Sequence, residues 1–318
     1  MKQGLKLALI LVLLTFIVSS CANYQNPFQK REKEEVGRGL KLSFEQNTIP
    51  DIIYAGQEFP LSVLIENYGP EIEGTIRIYD QIDGNDVEET QSFTIPGADF
   101  VEDNLGKIRG KVVPGRISFP RDEKRVSYKQ ENLFDGARAN IHAELTIGNY
   151  EVSEKFPLCI KEEDVEGVPC SNNEIETFAD AKTQYRPVTY SPMTIERVEK
   201  TITPLGKNEY FINLDITLNN VGGGEIISGE VDNSLGDSEF KVKNNVIKTP
   251  SIVFGGQNLR CSPQSEVVFV DNKAVLNCVG TTGLESGQEY VERQTEISYA
   301  FNYKIKIKKG PIPIIIRN

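Results

Sequence analysis

The chain has 318 residues, of which 39% are hydrophobic and 25% charged, a composition that excludes a disordered protein and suits two domains of ordinary size. Its formal net charge of -11 argues against nucleic acid or an anionic lipid surface as a direct partner, since both demand a basic face. A single histidine, His142, excludes multi-histidine metal sites, and the lack of tryptophan disfavours a carbohydrate module built on stacking platforms.

The first 21 residues begin with Lys2 and Lys6, continue as an apolar run from Leu7 to Val18, and close on small residues before Cys21. A basic start, a short apolar stretch and a small-residue cleavage site are the pattern of a secretory signal. Val18-Ser19-Ser20-Cys21 resembles the lipobox of prokaryotic lipoproteins, which implies lipidation of Cys21 and a new N-terminus there. The alternative is an uncleaved signal-anchor helix; a span needs about 20 apolar residues and would have to recruit Gly4 to Ser20. Both readings put the body outside the cytoplasm, membrane-anchored at the cell surface or the periplasmic face. Residues 22–38, containing Gln29-Lys30-Arg31-Glu32-Lys33-Glu34-Glu35, read as a polar tether.

From residue 39 the hydrophobic period becomes two. Leu40, Leu42 and Phe44 alternate with polar residues, as do Phe59, Leu61, Val63 and Ile65 before Asn67-Tyr68-Gly69-Pro70. Further strands are predicted at 75–80, 91–95, 107–113, 116–119, 125–129, 140–147 and 151–160, the last two joined by a tight hairpin turn at Gly148-Asn149. Residues 172–187 are polar and irregular and mark a boundary, so a first β-sandwich domain is placed at 39–171 and a second at 187–310. The second series is predicted at 188–190, 193–198, 209–219, 226–231, 239–242, 251–254, 266–270, 273–278 and 295–308, with Asp271-Asn272 as a hairpin turn. In the last strand Tyr299, Phe301, Tyr303, Ile305 and Ile307 take one face, and Ser298, Asn302, Lys304, Lys306 and Lys308 the other. Spaced short strands with no 3.6 period indicate an all-β fold of two sandwiches in series.

Val63-x-Ile65-x-Asn67-x-Gly69 matches Ile216-x-Leu218-x-Asn220-x-Gly222, and a fresh strand follows each. These segments resemble the V-x-V-x-N-x-G strand of CARDB-like immunoglobulin-type domains. Together with 40–44, 59–69, 158–170, 186–188 and 219–224, the arrangement also resembles a group of uncharacterised archaeal exported proteins. The resemblance implies two immunoglobulin-like β-sandwich domains after an N-terminal signal or anchor helix, in a surface protein. It implies no activity.

With Cys21 assigned to the lipobox, Cys159, Cys170, Cys261 and Cys278 remain. An even number of cysteines in an exported chain reads as a disulfide framework with three possible connectivities. The close pairs, Cys159 with Cys170 and Cys261 with Cys278, are the expected ones. A zinc site is the alternative, disfavoured by the absence of any CxxC spacing.

Few constellations carry chemistry. Asp80, Asp83 and Asp86, with Glu88 and Glu89, surround Asp83-Gly84; calcium takes several oxygens from such a loop, but Asp-Gly is also a standard turn pair, and the solvated turn is preferred. Asp99, Glu102 and Asp103, and Glu162, Glu163 and Asp164, are carboxylate groups of the kind glycoside hydrolysis uses, read here as surface acids. His142 is placed on a strand, sharing a face with Glu144. Gly222-Gly223-Gly224 lacks the Lys-Ser/Thr of a phosphate loop and reads as a strand-to-strand turn. No catalytic residue, cofactor or metal is assigned. The expected function is non-catalytic binding, adhesion or scaffolding at the cell surface, toward a protein or envelope component. The rivals are a part of an envelope, pilus or secretion assembly and an extracytoplasmic hydrolase with an acidic site.

Overall fold

A computed structural model describes residues 39–82, 87–102, 108–121, 125–162, 165–168, 170–177, 191–228 and 243–316. The signal or anchor segment, Cys21 and the tether lie outside the described residues, as do Asp83, Asp86, Asp103, Glu163, Asp164 and the strands predicted at 188–190 and 239–242.

The chain is all-β. Its first half contains β1 (Leu40–Phe44), β2 (Ile53–Tyr54), β3 (Leu61–Asn67), β4 (Ile72–Tyr79), β5 (Glu89–Ile95), β6 (Asp99–Glu102), β7 (Ile108–Lys111), β8 (Gly115–Phe119), β9 (Arg138–Lys161) and β10 (Asn173–Thr177). The second contains β11 (Met193–Gly206), β12 (Glu209–Asn220), β13 (Glu225–Ser228), β14 (Lys243–Asn244), β15 (Val246–Lys248), β16 (Ser251–Phe254), β17 (Gln257–Asn258), β18 (Arg260–Ser262), β19 (Glu266–Val268), β20 (Lys273–Gly283) and β21 (Tyr290–Ile315). The segment predicted as a strand at 125–129 makes only one bridge, from Val126 to Phe59. Asp271 and Asn272 both take positive φ between Val270 and Lys273, as a two-residue hairpin turn requires.

Among the described residues, sheets of order β1-β3-β8 and β10-β11-β12-β20-β18 and the pairs β15-β19 and β6-β7 accompany one large sheet of order β14-β13-β21-β9-β4-β5, to which β16, β17 and β2 also belong. Alternation drives the layering. Val63 and Ile65 on β3, Ile76 and Ile78 on β4, Ile216 and Leu218 on β12, and Ile226 on β13 are all fully buried in one apolar cluster.

The two Asn-x-Gly segments hold corresponding places. β3 lies between β1 and β8, antiparallel to both, and β12 lies between β11 and β20 in the same way. After each, the chain crosses to the large sheet, where β4 pairs with β9 and β13 with β21, again antiparallel. The asparagines satisfy the crossing turns. The Asn67 side chain donates to Pro70 O at 2.5 Å and Pro96 O at 3.2 Å and accepts from Gly69 N at 3.0 Å. The Asn220 amide donates to Gly224 O at 2.8 Å and accepts from the Tyr303 hydroxyl at 3.2 Å. A buried turn has no water to satisfy its carbonyls, so an amide at the strand exit takes that role.

Gly148-Asn149 departs from the expected hairpin turn. β9 runs through it without reversing, and β21 pairs with it on both sides, from Arg138↔Pro313 to Lys161↔Tyr290. Before the pair, Ile141, Ala143, Leu145 and Ile147 face the core; after it, Tyr150, Val152, Phe156, Leu158 and Ile160 do. The buried parity switches, so Gly148-Asn149 holds one extra residue, a β-bulge. Asn149 takes a positive φ of 52°, the conformation for which a Gly-Asn pair also suits a turn, and its N–H donates to Asn302 Oδ1 at 2.7 Å.

The bulged ladder joins the two halves of the sequence. Residues 142–147 of β9 lie between β4 and β21, whereas residues 295–298 of β21 lie between β16 and β9. The C-terminal part of each long strand therefore extends the sheet of the other half. The far end of β21 runs parallel to β2, Ile53↔Ile314 and Tyr54↔Ile315. The described residues between 39 and 316 cluster as one compact unit.

Candidate binding face

The outward face of β4, β9 and β21 concentrates the polar side chains that the strand register aligns. One row is Tyr79, His142 and Lys308; the next is Arg77, Glu144 and Lys306. His142 and Glu144 do share a face, because residues two apart on a strand point the same way. The His142 ring stacks on Tyr79 with centroids 5.0 Å apart and planes at 10°. The Arg77 guanidinium sits 5.1 Å from the centre of the Tyr79 ring, a cation–π distance, and pairs with Glu88. Glu144 accepts from Lys304 at 2.9 Å through one oxygen and from Lys306 at 3.0 Å through the other.

These contacts set the charges. Burial pushes the Glu144 carboxyl up, but hydrogen bonds from Lys304 and Lys306 outweigh it and hold the group below the usual carboxylate range. The hydrogen bond to Glu144 raises Lys306. Burial first, then the nearby Lys308, lowers His142, against a smaller opposite pull from Asp80. Both His142 ring nitrogens are buried and without a hydrogen-bond partner, which fits a neutral, stacked ring. Among the described residues no side chain hydrogen-bonds to it.

Of the acidic groups read from the sequence, Asp80 and Glu89 are drawn into the framework. Asp80 accepts from the Tyr128 hydroxyl, from Gln81 N at 2.5 Å and from Asn140 N at 3.0 Å; its oxygens tie β4 to β9 and the segment before it. Glu89 Oε1 accepts from Gln91 Nε2 at 2.9 Å and Arg121 N at 3.2 Å. Asp99 begins β6 and is exposed, and Glu162 follows β9. Among the described residues no group of three or more His, Cys, Asp or Glu side chains is positioned to hold a metal ion. Gly222-Gly223-Gly224 is the turn between β12 and β13. A side chain at Gly222 or Gly224 would collide with Tyr303, whose hydroxyl accepts from Gly224 N at 2.7 Å, and Gly223 has φ +73°.

The cysteines pair as expected, Cys159 with Cys170 and Cys261 with Cys278. The first bridge has a neighbour that the sequence did not mark. The Lys200 side chain on β11, only 1% exposed, donates to Cys159 O at 2.9 Å and Glu174 Oε2 at 3.0 Å and lies 3.5 Å from Cys159 Sγ. The strand predicted at 193–198 stops short of it, and although Val198, Lys200 and Ile202 share the buried face of β11, a lysine at such a position reads as the end of the strand and not as a core residue. On the core side of the long strands, the Tyr299 hydroxyl donates to Glu154 Oε1 or Met193 O, each at 3.1 Å, another polar group that alternation alone marks as apolar. Among the described residues no helix is long and apolar enough to cross a membrane.

No protein-family model matches the chain, and no curated protein matches it in sequence. Among solved structures, the chain is similar to red sea bream transglutaminase, with a TM-score of 0.18 and 10% identity over 88% of this chain. The chain spans 31% of that structure's length, and a superposition this loose carries no argument about fold or activity.

Proposed function

We propose that the chain is a non-catalytic binding, adhesion or scaffold protein, held at the outer side of a membrane through Cys21 and built from two immunoglobulin-like, CARDB-like sandwich modules. The observation that carries this reading is the cysteine pattern. All four cysteines of the body are used in two short-range bridges, and stable disulfides form and persist in an oxidising compartment. That leaves Cys21, at the end of the apolar run, as the cysteine outside the framework. Residues 22–38 then act as the spacer between membrane and body. The corresponding places of β3 and β12 support the tandem-module reading. The face carrying Arg77, Tyr79, Lys306 and Lys308 is the surface assigned to recognition, because its side chains reach solvent from a rigid sheet.

Replacing Cys21 tests the anchor. In the native host, Cys21→Ala moves the protein from the membrane fraction to the soluble extracytoplasmic fraction, or leaves an unprocessed precursor, read by fractionation and intact mass. Unchanged fractionation and an unmodified mass in both forms contradict lipid anchoring.

A further inference from the structure

Lys200 is a lysine placed where lysines are rarely found. Its ammonium has three hydrogens to give. Cys159 O takes one at 2.9 Å and Glu174 Oε2 another at 3.0 Å, leaving the third directed at Cys159 Sγ, 3.5 Å away. The β9–β11 neighbourhood thus aims a cation at one sulfur of a disulfide. The second bridge differs. Cys261 and Cys278 sit directly opposite each other in the β18–β20 ladder, with Cys278 fully buried, and among the described residues no cationic side chain bonds to its sulfurs.

We propose that Cys159–Cys170 is a thiol–disulfide exchange site, in which Lys200 receives Cys159 as the leaving thiolate when an external dithiol attacks Cys170. The order follows from exposure: Cys170 is partly open to solvent, whereas Cys159 is buried beside the ammonium. The attacking thiolate forms a bond to Cys170 Sγ as the Cys159–Cys170 bond breaks, and the electron pair leaves on Cys159. A hydrogen bond from an ammonium to a thiolate is charge-assisted, and a better-stabilised leaving thiolate departs faster. The second thiol of the dithiol, once deprotonated, then displaces Cys170. The balance is a two-electron, two-proton transfer: the dithiol becomes a disulfide, and the bridge becomes two thiols.

The fold tolerates an open bridge. The segment after β9 stays clamped by Asn172, whose side chain accepts from Lys161 N at 3.0 Å and donates to Lys161 O at 2.8 Å, while its backbone oxygen accepts from Ile202 N at 2.9 Å. β10 remains paired to β11 along Asn173–Thr177. Opening the bridge therefore leaves the Lys161–Asn172 clamp and the β10–β11 pairing in place, so exchange is reversible within the native protein.

The test is partial reduction of the folded full chain with dithiothreitol, followed by alkylation and peptide mass mapping. Cys159–Cys170 opens first, on the order of tenfold faster than Cys261–Cys278. Lys200→Met slows opening of the first bridge several-fold and leaves the second unchanged. Should that variant fail to fold, the wild type still decides the matter. Once reduced, Cys159 is alkylated with a half-point below the ordinary thiol value of about 8.5. Equal opening rates, earlier opening of Cys261–Cys278, or an ordinary or raised half-point for Cys159 overturns the proposal.

Discussion

His142 makes the pH response of this protein near neutrality unusually simple to assign, because no other histidine is present. Burial and the nearby Lys308 hold its pKa below the ordinary value, with Lys306 adding to them and Asp80 opposing. The unfolded chain takes up a proton near about 6.5, and the folded chain does so only at lower pH. Between those points the unfolded state binds more protons, so stability rises with pH. The full contribution is present above the unfolded value and is lost as pH falls through this window. The melting temperature should therefore drop as pH falls below the unfolded histidine value of about 6.5, and His142→Phe, which keeps the ring on Tyr79, should remove most of that drop. An undiminished drop in the variant assigns the pH response to other groups. Glu144 has the same sign at lower pH: its depressed carboxyl stabilises the fold above the unfolded carboxylate range and loses that contribution as pH falls below it.

At the scale of elements, β9 and β21 decide the architecture. β9 has 24 residues, a contour of about 80 Å at the usual rise per residue. The alternation of Tyr299 to Ile307 was legible in the sequence, as were the Asn67 and Asn220 turns and the short-range cysteine pairs. Periodicity reveals which face of a strand is buried but not which strand lies beside it, so the β9–β21 ladder left no local trace. Gly148-Asn149 illustrates the difficulty. A bulge and a hairpin turn both ask for a residue with positive φ, and only the partner strand distinguishes them. Lys200 lay beyond the predicted end of its strand at 198, and its burial depends on Cys159 and Glu174, which arrive from β9 and β10. The end of β21 offers a test of the same ladder. Ile312 and Ile314 are 3% and 5% exposed, seated where β21 meets β2 and the start of β9. Ile314→Ala should cost about 2–5 kcal/mol by leaving a cavity, measured by denaturant unfolding. A change within about 0.5 kcal/mol, the range of neutral surface substitutions, places the end of β21 outside the core.

The whole molecule differs from two independent modules on a string in one respect: the large sheet belongs to both halves. β9 begins beside β4 and ends beside the N-terminal part of β21, and β21 ends beside the start of β9 and β2. Breaking the fold of either half removes a partner strand from the other. A body of this length made of separable domains would unfold in separate steps, whereas a shared ladder couples them. Equivalent core residues supply matched probes, since Ile65 on β3 and Leu218 on β12 are both fully buried at corresponding places. Calorimetric unfolding of the wild type, Ile65→Ala and Leu218→Ala, with both disulfides intact, is the direct measurement. The shared sheet predicts a single transition that both substitutions lower, each by about 2–5 kcal/mol. Two resolved transitions, with Ile65→Ala moving only one and Leu218→Ala only the other, would contradict it.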